Sequence, residues 1–273
     1  MADLPQTEHL ALSLEQGVLH LTFNRPEARN AMSLAMLEEM QATFAAIAED
    51  REVRVVVLRG AGGHFCAGGD IKDMARARGV PLSDTQDAVA DYSRAFGRMI
   101  HTVDAAPQAV VAILEGAVLG GGFGVACVTD VAIAAPDCKF GLPETGLGIT
   151  PAQIAPAVVQ RIGLTQARRL GVCGGRFDGR EAQRLGLVHF VEEGEEAIQQ
   201  RLAEVVAQVR RCAPQAVADT KTLMRQCGLR TPEQNIDTAA RVFAAGIRGD
   251  EGQEGTRAFI EKRLPRWAQV DQG

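Results

Sequence analysis

The chain of 273 residues contains no uninterrupted run of about eighteen apolar residues, the length that a membrane-spanning helix requires. Its opening segment, MADLPQTEHLAL, carries acidic residues and lacks the apolar stretch of a signal sequence. Positive charge is not in excess either. Twenty-nine lysines and arginines against 34 acidic residues leave a net charge of -5, the wrong sign for neutralising nucleic-acid phosphates. The six cysteines, Cys66, Cys127, Cys138, Cys173, Cys212 and Cys227, stand far apart. That spacing suits neither zinc fingers nor a small disulfide scaffold and reads as reduced thiols. The expectation is a cytoplasmic protein with neither a membrane nor a nucleic acid among its partners.

Several catalytic vocabularies are missing as well. There is no G-x-S-x-G elbow, and the only serines are Ser13, Ser33, Ser83 and Ser93, poor material for a serine hydrolase. The glycine runs at 60–69 and 116–127 lack the G-x-G-x-x-G spacing of a dinucleotide fold, and neither has the lysine of a phosphate loop. His64 and Cys66 have no second pair of ligands to complete a closed metal site, so no metal is expected.

What is present is alternation. GVLHLTFN (17–24) reads as a half-buried strand, and Ser33 can cap a following helix with Leu34, Leu37, Met40, Phe44 and Ile47 on one face. VRVVVLRG (53–60) is a buried strand, followed by a glycine-rich loop. Val89, Tyr92, Phe96, Met99 and Val103 then mark a second amphipathic helix before the strand AVVAILEG (109–116). A helix from LGGGFGVACV is expected to run into Asp130, an acid placed as a cap or turn former, with the strand VAIAAP (131–136) after it. Beyond about residue 150 strands thin out, and Ile198, Leu202, Val205 and Val209 share a helical face. The pattern is α/β, with helices covering sheets and no repeat visible in the sequence.

Glycine also serves chemistry. At a helix start it lets a ligand approach the main chain, where exposed N–H groups and the helix dipole favour a developing negative charge. Those are the parts of an oxyanion hole. LGGGFGVA (119–126) is one such turn, and Ala67, Gly68 and Gly69, leading into Asp70, form a second. Two donors from separate loops could converge on one thioester oxygen and hold an enolate.

HFCAGGDIKDM (64–74), GAVLGGGFGVACVTD (116–130) and FGLPETGLG (140–148), in that order and spacing, resemble the enoyl-CoA hydratase/isomerase (crotonase) family. The likeness runs from about Thr22 to Trp267, with AFIEKRLPRW fitting the family's helical tail. It implies a spiral core of ββα units, residues 1–200, and a C-terminal helical region, residues 201–273, through which chains assemble as trimers or dimers of trimers. It implies an acyl-CoA substrate and no separate cofactor, coenzyme A being part of the substrate. Gly69 and Gly121 resemble the oxyanion pair. Ala67, Gly68, Asp70, Ile71 and Lys72 resemble the wall along the coenzyme, and Phe259 and Lys262 the tail residues that reach a coenzyme, commonly in a neighbouring subunit.

Family hydratases usually use two glutamates. The one in the P-E pair is present as Glu144, but Gly124 stands where the other would be. A single carboxylate can take a proton from water and return it to the α-carbon, so hydration survives, and the missing side chain suggests room for a branch at the β-carbon. TGLGITPAQIAPAVVQRIG (145–163) is similar to the hydratases of 3-branched glutaconyl thioesters, and GAVLGGGFGVACV, FGLPETGLGITPAQIAP, GLTQARRL and RFDGREAQRLGLVHF together resemble the isohexenylglutaconyl-CoA hydratases of acyclic-terpene catabolism above all. The methylglutaconyl-CoA hydratases of leucine catabolism are the alternative. Enoyl-CoA isomerisation or acyl-CoA binding without turnover remain open, because the fold alone does not choose a reaction.

Overall fold

The computed structural model describes residues 3–83, 85–227 and 229–269. β1 (Leu10–Glu15) turns at Gln16 and Gly17, both at positive φ, and pairs antiparallel with β2 (Val18–Phe23). The Ser33 hydroxyl then accepts the Met36 N–H and starts α1 (Leu34–Ile47), as its position in the sequence predicts. β3 (Val55–Gly60) lies parallel to β2.

The glycine-rich loop expected after β3 is there, and a helix that was not expected follows it. Asp70 caps α2 (Ile71–Gly79) by accepting the Lys72 N–H, and α3 (Ala88–Ala105) follows. Next come β4 (Ala109–Leu114), β5 (Ala117–Leu119) and α4 (Gly121–Cys127), which stops short of Asp130. β6 (Val131–Ala134) and β7 (Lys139–Gly141) lead to α5 (Ala155–Cys173), broken at Gly163. The remainder is β8 (Arg176–Phe177), α6 (Gly179–Arg184), β9 (Phe190–Val191), α7 (Glu195–Arg210), α8 (Pro214–Arg225), α9 (Pro232–Arg248) and α10 (Asp250–Ile260).

Six strands form one sheet in the order β1-β2-β3-β4-β6-β9, and three form a second in the order β5-β7-β8. The chain alternates between them. β4 in the large sheet leads to β5 in the small one and then to α4, and β6 leads to β7 and α5. Parallel bridges Met32↔Gly69 and Cys66↔Val118 extend the small-sheet path back to the units that begin with β2 and β3. This is a spiral of ββα units, a repeat of backbone path rather than of side chains.

The large sheet is covered on both faces, which is why its central parallel strands read as continuous apolar runs. Val56, Leu58, Val110 and Ala112 face a core shared with Met36, Met40, Phe96 and Met99 of α1 and α3. The alternate residues Val55, Val57, Val111 and Ile113 face Ile198, Leu202, Val205 and Val206 of α7. A boundary after residue 200 therefore falls inside α7, a helix continuous with the core. Leu34 and Val89, expected on apolar faces, are 39% and 50% exposed in the first turns of their helices. Asp130 is structural: its carboxylate accepts the Val110 N–H at 2.7 Å and pairs with Lys221 at 2.6 Å, tying α8 to the sheet. Among the described residues no helix is long and apolar enough to cross a membrane.

Candidate active site

The two glycine loops are in contact. Cys66 N–H donates to Ala117 O at 2.9 Å and Leu119 N–H to Cys66 O at 3.0 Å, while His64 Nδ1 accepts the Ala117 N–H at 3.1 Å. His64 and Cys66 thus splice the loop at 64–69 onto β5. Burial pushes the Cys66 thiol up to about 12, so it remains a neutral packing group.

The bonding pattern singles out two donors. Met32 N–H donates to Gly68 O at 2.8 Å and Asp70 N–H donates to Met32 O at 3.0 Å. A parallel bridge of this kind uses the groups flanking Gly69 and turns the Gly69 N–H itself away. Gly121, as the first residue of α4, has an N–H with no intrahelical partner. No described residue accepts either proton.

The glycines of LGGGFGVA each lie against something different. A Cβ on Gly120 would stand 2.8 Å from Glu144 Oε1, on Gly121 2.4 Å from Phe96 Cζ, and on Gly122 2.6 Å from Cys66 Cβ. At Gly120 the backbone itself, φ 49° and ψ -116°, also demands glycine.

Glu144 begins a short 3-10 helix, Glu144–Leu147, closed by Gly148 in the left-handed region. Its Oε2 is buried and, among the described residues, has no hydrogen-bond partner. Desolvation raises its pKa above the usual 4.5, outweighing its own backbone N–H. A carboxylate that is close to main-chain donors yet unpaired is suited to taking up and releasing a proton.

Glu144, Gly69 and Gly121 all line one chamber of about 570 Å³. Ile71, Met74, Ala75, Ala77 and Arg78 form its α2 wall, and Val89, Tyr92, Ser93 and Phe96 its α3 wall, the last four at the i, i+3, i+4, i+7 spacing of a single helical face. Leu147, Ile149 and Ile154 close it from the segment beyond Glu144. Among the described residues no group of three or more His, Cys, Asp or Glu side chains is placed to hold a metal ion.

The profile of the enoyl-CoA hydratase/isomerase family matches residues 13–270. The chain belongs to this family. The structure superimposes on AtuE of Pseudomonas aeruginosa with a TM-score of 0.93, 59% identity, and coverage of 96% of this chain and 100% of that one. The mevalonyl-coenzyme A hydratase sidH of Aspergillus fumigatus is 30% identical over 254 residues, 92% of this chain and 91% of that protein. Several other curated relatives are matched over about half their length, as with YngF of Bacillus subtilis, 37% identical over 147 residues, 54% of this chain and 51% of that protein.

Within this family site, the expected residues part company. Ile71 lines the chamber, whereas Ala67 and Gly68 lie in the loop behind Gly69. Asp70, 7% exposed, faces away and pairs with Arg25 at 2.9 Å. Burial works against its charge, but the Arg25 side chain and the Lys72 N–H hold its carboxyl below the usual range. Lys72 lines a separate polar hollow of about 420 Å³ beside Arg25, Asp73 and Arg76. Phe259, 85% exposed, and Lys262 lie on and just beyond α10, away from the chamber of their own chain.

Gly124 requires a correction. It was expected to leave space for a substrate branch, but a Cβ there would lie 2.2 Å from Ile154 Cγ2. The space is already occupied by Ile154, which lines the chamber while Gly124 does not. The glycine lets buried α4 approach the start of α5. Of the α2 wall only Ile71 stands out in the sequence; Met74, Ala75 and Arg78 do not, although Asp70 as a cap before them carries that signal. Tyr92, whose hydroxyl donates to Met32 O at 3.3 Å, and Phe96 were legible only as helix-face residues.

Proposed function

We propose that the chain adds water across the 2,3 double bond of a 3-branched glutaconyl-CoA thioester, isohexenylglutaconyl-CoA in particular. The reading rests on one observation: two unbonded backbone donors, Gly69 and Gly121, and the unpaired Glu144 carboxyl share one chamber. With the thioester oxygen accepting both N–H groups, negative charge that develops there as water attacks C3 is stabilised. Glu144 takes one proton from that water as the C3–O bond forms, then delivers it to C2 as the enolate collapses. One molecule of water is added, and the carboxylate is regenerated.

The acyl preference is supported by the chamber. A chamber of about 570 Å³ in which Ile71, Met74, Val89, Phe96 and Ile154 supply apolar wall offers contact surface to an apolar branch longer than methyl. One relative is named for mevalonyl-CoA, itself branched at C3, and the segment 145–163 resembles hydratases of branched glutaconyl thioesters. Turnover of isohexenylglutaconyl-CoA, 3-methylglutaconyl-CoA and crotonyl-CoA by the purified protein tests this. The expected kcat/KM falls in that order, and a preference for crotonyl-CoA overturns the branched reading.

Assembly is part of the same proposal. α9 buries no residue and exposes Ile236, Phe243 and Ile247, a face suited to a second copy of the chain. Phe243→Asp is expected to lower the sedimentation mass from that of a trimer or dimer of trimers, and an unchanged mass places the interface elsewhere. Phe259 and Lys262 would then be available to a neighbour's coenzyme.

A further inference from the structure

We propose that Arg78 is the counter-charge for the free carboxylate of the acyl group, and so selects carboxylated thioesters over neutral ones. The inference rests on the acyl-CoA reading above. Among the described residues that line the chamber, Arg78 is the only cation; it is exposed, and no described residue pairs with it. Its neighbour Arg76 points to the other side of α2, where it lies 3.2 Å from Asp73 and lines the polar hollow.

The helix places Arg78 at a useful distance. It lies seven residues beyond Ile71 on the same face, about 10 Å of helical rise. Side chains on a helix lean toward its N-terminus, the end of α2 at which Gly69 stands. In a glutaconyl thioester the carboxylate carbon is four bonds from the thioester carbon, at most about 6 Å away. With the thioester oxygen at Gly69 and Gly121, the remaining gap is within the length of an arginine side chain.

The other polar groups in the wall are less suited. Ser93 Oγ and Gln153 Nε2 are 3.0 Å apart and bonded to each other, and Glu144 repels a carboxylate. A carboxylate entering a largely apolar chamber needs a charged donor to replace its water, and guanidinium offers a planar fork matched to it. Arg78 also stands at the C-terminal end of α2, where a positive charge suits the helix dipole. That local role alone would not distinguish one acyl group from another.

Calorimetric binding of two unreactive ligands separates these roles. 3-Methylglutaryl-CoA and isovaleryl-CoA share the C3 methyl branch and differ by one carboxylate, which the first carries on the carbon that is a terminal methyl in the second. The wild-type oligomer is expected to bind the first more tightly, and Arg78→Met to shrink that preference by about ten- to a hundredfold. Arg78→Lys should retain part of the preference and Arg78→Glu reverse it. Absence of a preference in the wild type, or its persistence in Arg78→Met, overturns the assignment. Hydration is measured in parallel on wild type. If carboxylate preference depends on Arg78 but no branched enoyl-CoA is hydrated, the hydratase reading falls and the carboxylate contact stands. If hydration proceeds and the preference ignores Arg78, only the contact falls.

Discussion

The two glycine loops offer the same group, an unbonded backbone N–H, from opposite surroundings. Gly121 opens α4, whose seven residues are all buried, whereas Gly69 leads into α2, which buries none. α4 is wedged between Phe96, Cys66 and Ile154. α2 is held mainly at its start, where Asp70 pairs with Arg25 at 2.9 Å and Asp73 accepts the Leu34 N–H at 2.8 Å. The contrast separates two tasks. The donor beside Glu144 is built into the core, where close packing resists displacement. The α2 wall of the chamber is carried by an exposed helix, whose residues can change without unpacking the interior.

The most damaging single change is expected in the buried half. Glu144→Gln keeps the shape of the carboxyl but cannot accept a proton from water, and should lower kcat by about 10²–10⁴ while acyl-CoA binding persists. A rate near that of wild type, measured with a hydrated substrate, would remove Glu144 from the chemistry. Next comes a matched pair, Gly121→Ala and Gly69→Ala. The first drives a Cβ to 2.4 Å from the buried Phe96 ring, whereas the second meets the flexible end of Met74 at 2.5 Å and the Tyr92 hydroxyl at 3.0 Å. Loss of the Gly121 donor geometry should cost about 10²–10³ in kcat, against less than about tenfold for Gly69→Ala. Equal losses in folded variants would erase the distinction between the loops.

Smaller effects probe what surrounds them. Gly124→Glu inserts a carboxylate where Ile154 Cγ2 leaves 2.2 Å for a Cβ, and overpacking of this kind costs about 1–3 kcal/mol. Urea unfolding should show that loss, and Ile154→Gly in the same chain should recover part of it. If the double variant is no more stable than Gly124→Glu, Ile154 is not the obstacle. The mildest test is pH. A general base works ionised, and burial raises the Glu144 pKa above 4.5, so protonation on acidification should silence the enzyme earlier than an ordinary glutamate would. The acid limb of kcat/KM is expected above 4.5. A limb at or below that value argues against Glu144 as the titrating base.

Much of the site could be read along the chain because its signals are local. Ser33 as a cap, the buried strand VRVVVLRG and the motif GLPE each declare themselves within a few residues. The two glycine runs were recognisable as close-approach segments, but not what approaches them. Gly124 is the instructive case: the gap left by its side chain looked like substrate space, and Ile154, thirty positions away, fills it. Arg78 was one of many arginines until the turn of α2 set it on the chamber side and Arg76 on the other.

The sequence by itself determined the alternation of strands and helices, the family to which the chain belongs, and the residue types available for an oxyanion hole and a single carboxylate base. Periodicity, capping and glycine placement act over a few residues, so they leave a trace that needs no structure. Only the tertiary structure decided which N–H groups stay unbonded, that one oxygen of Glu144 is buried without a partner, and which side chains enclose the chamber. Those properties belong to contacts between distant segments. Met32 occupies the hydrogen bonds on either side of Gly69, and Ile154 packs on Gly124, through the path of the ββα spiral rather than through any pattern in neighbouring residues.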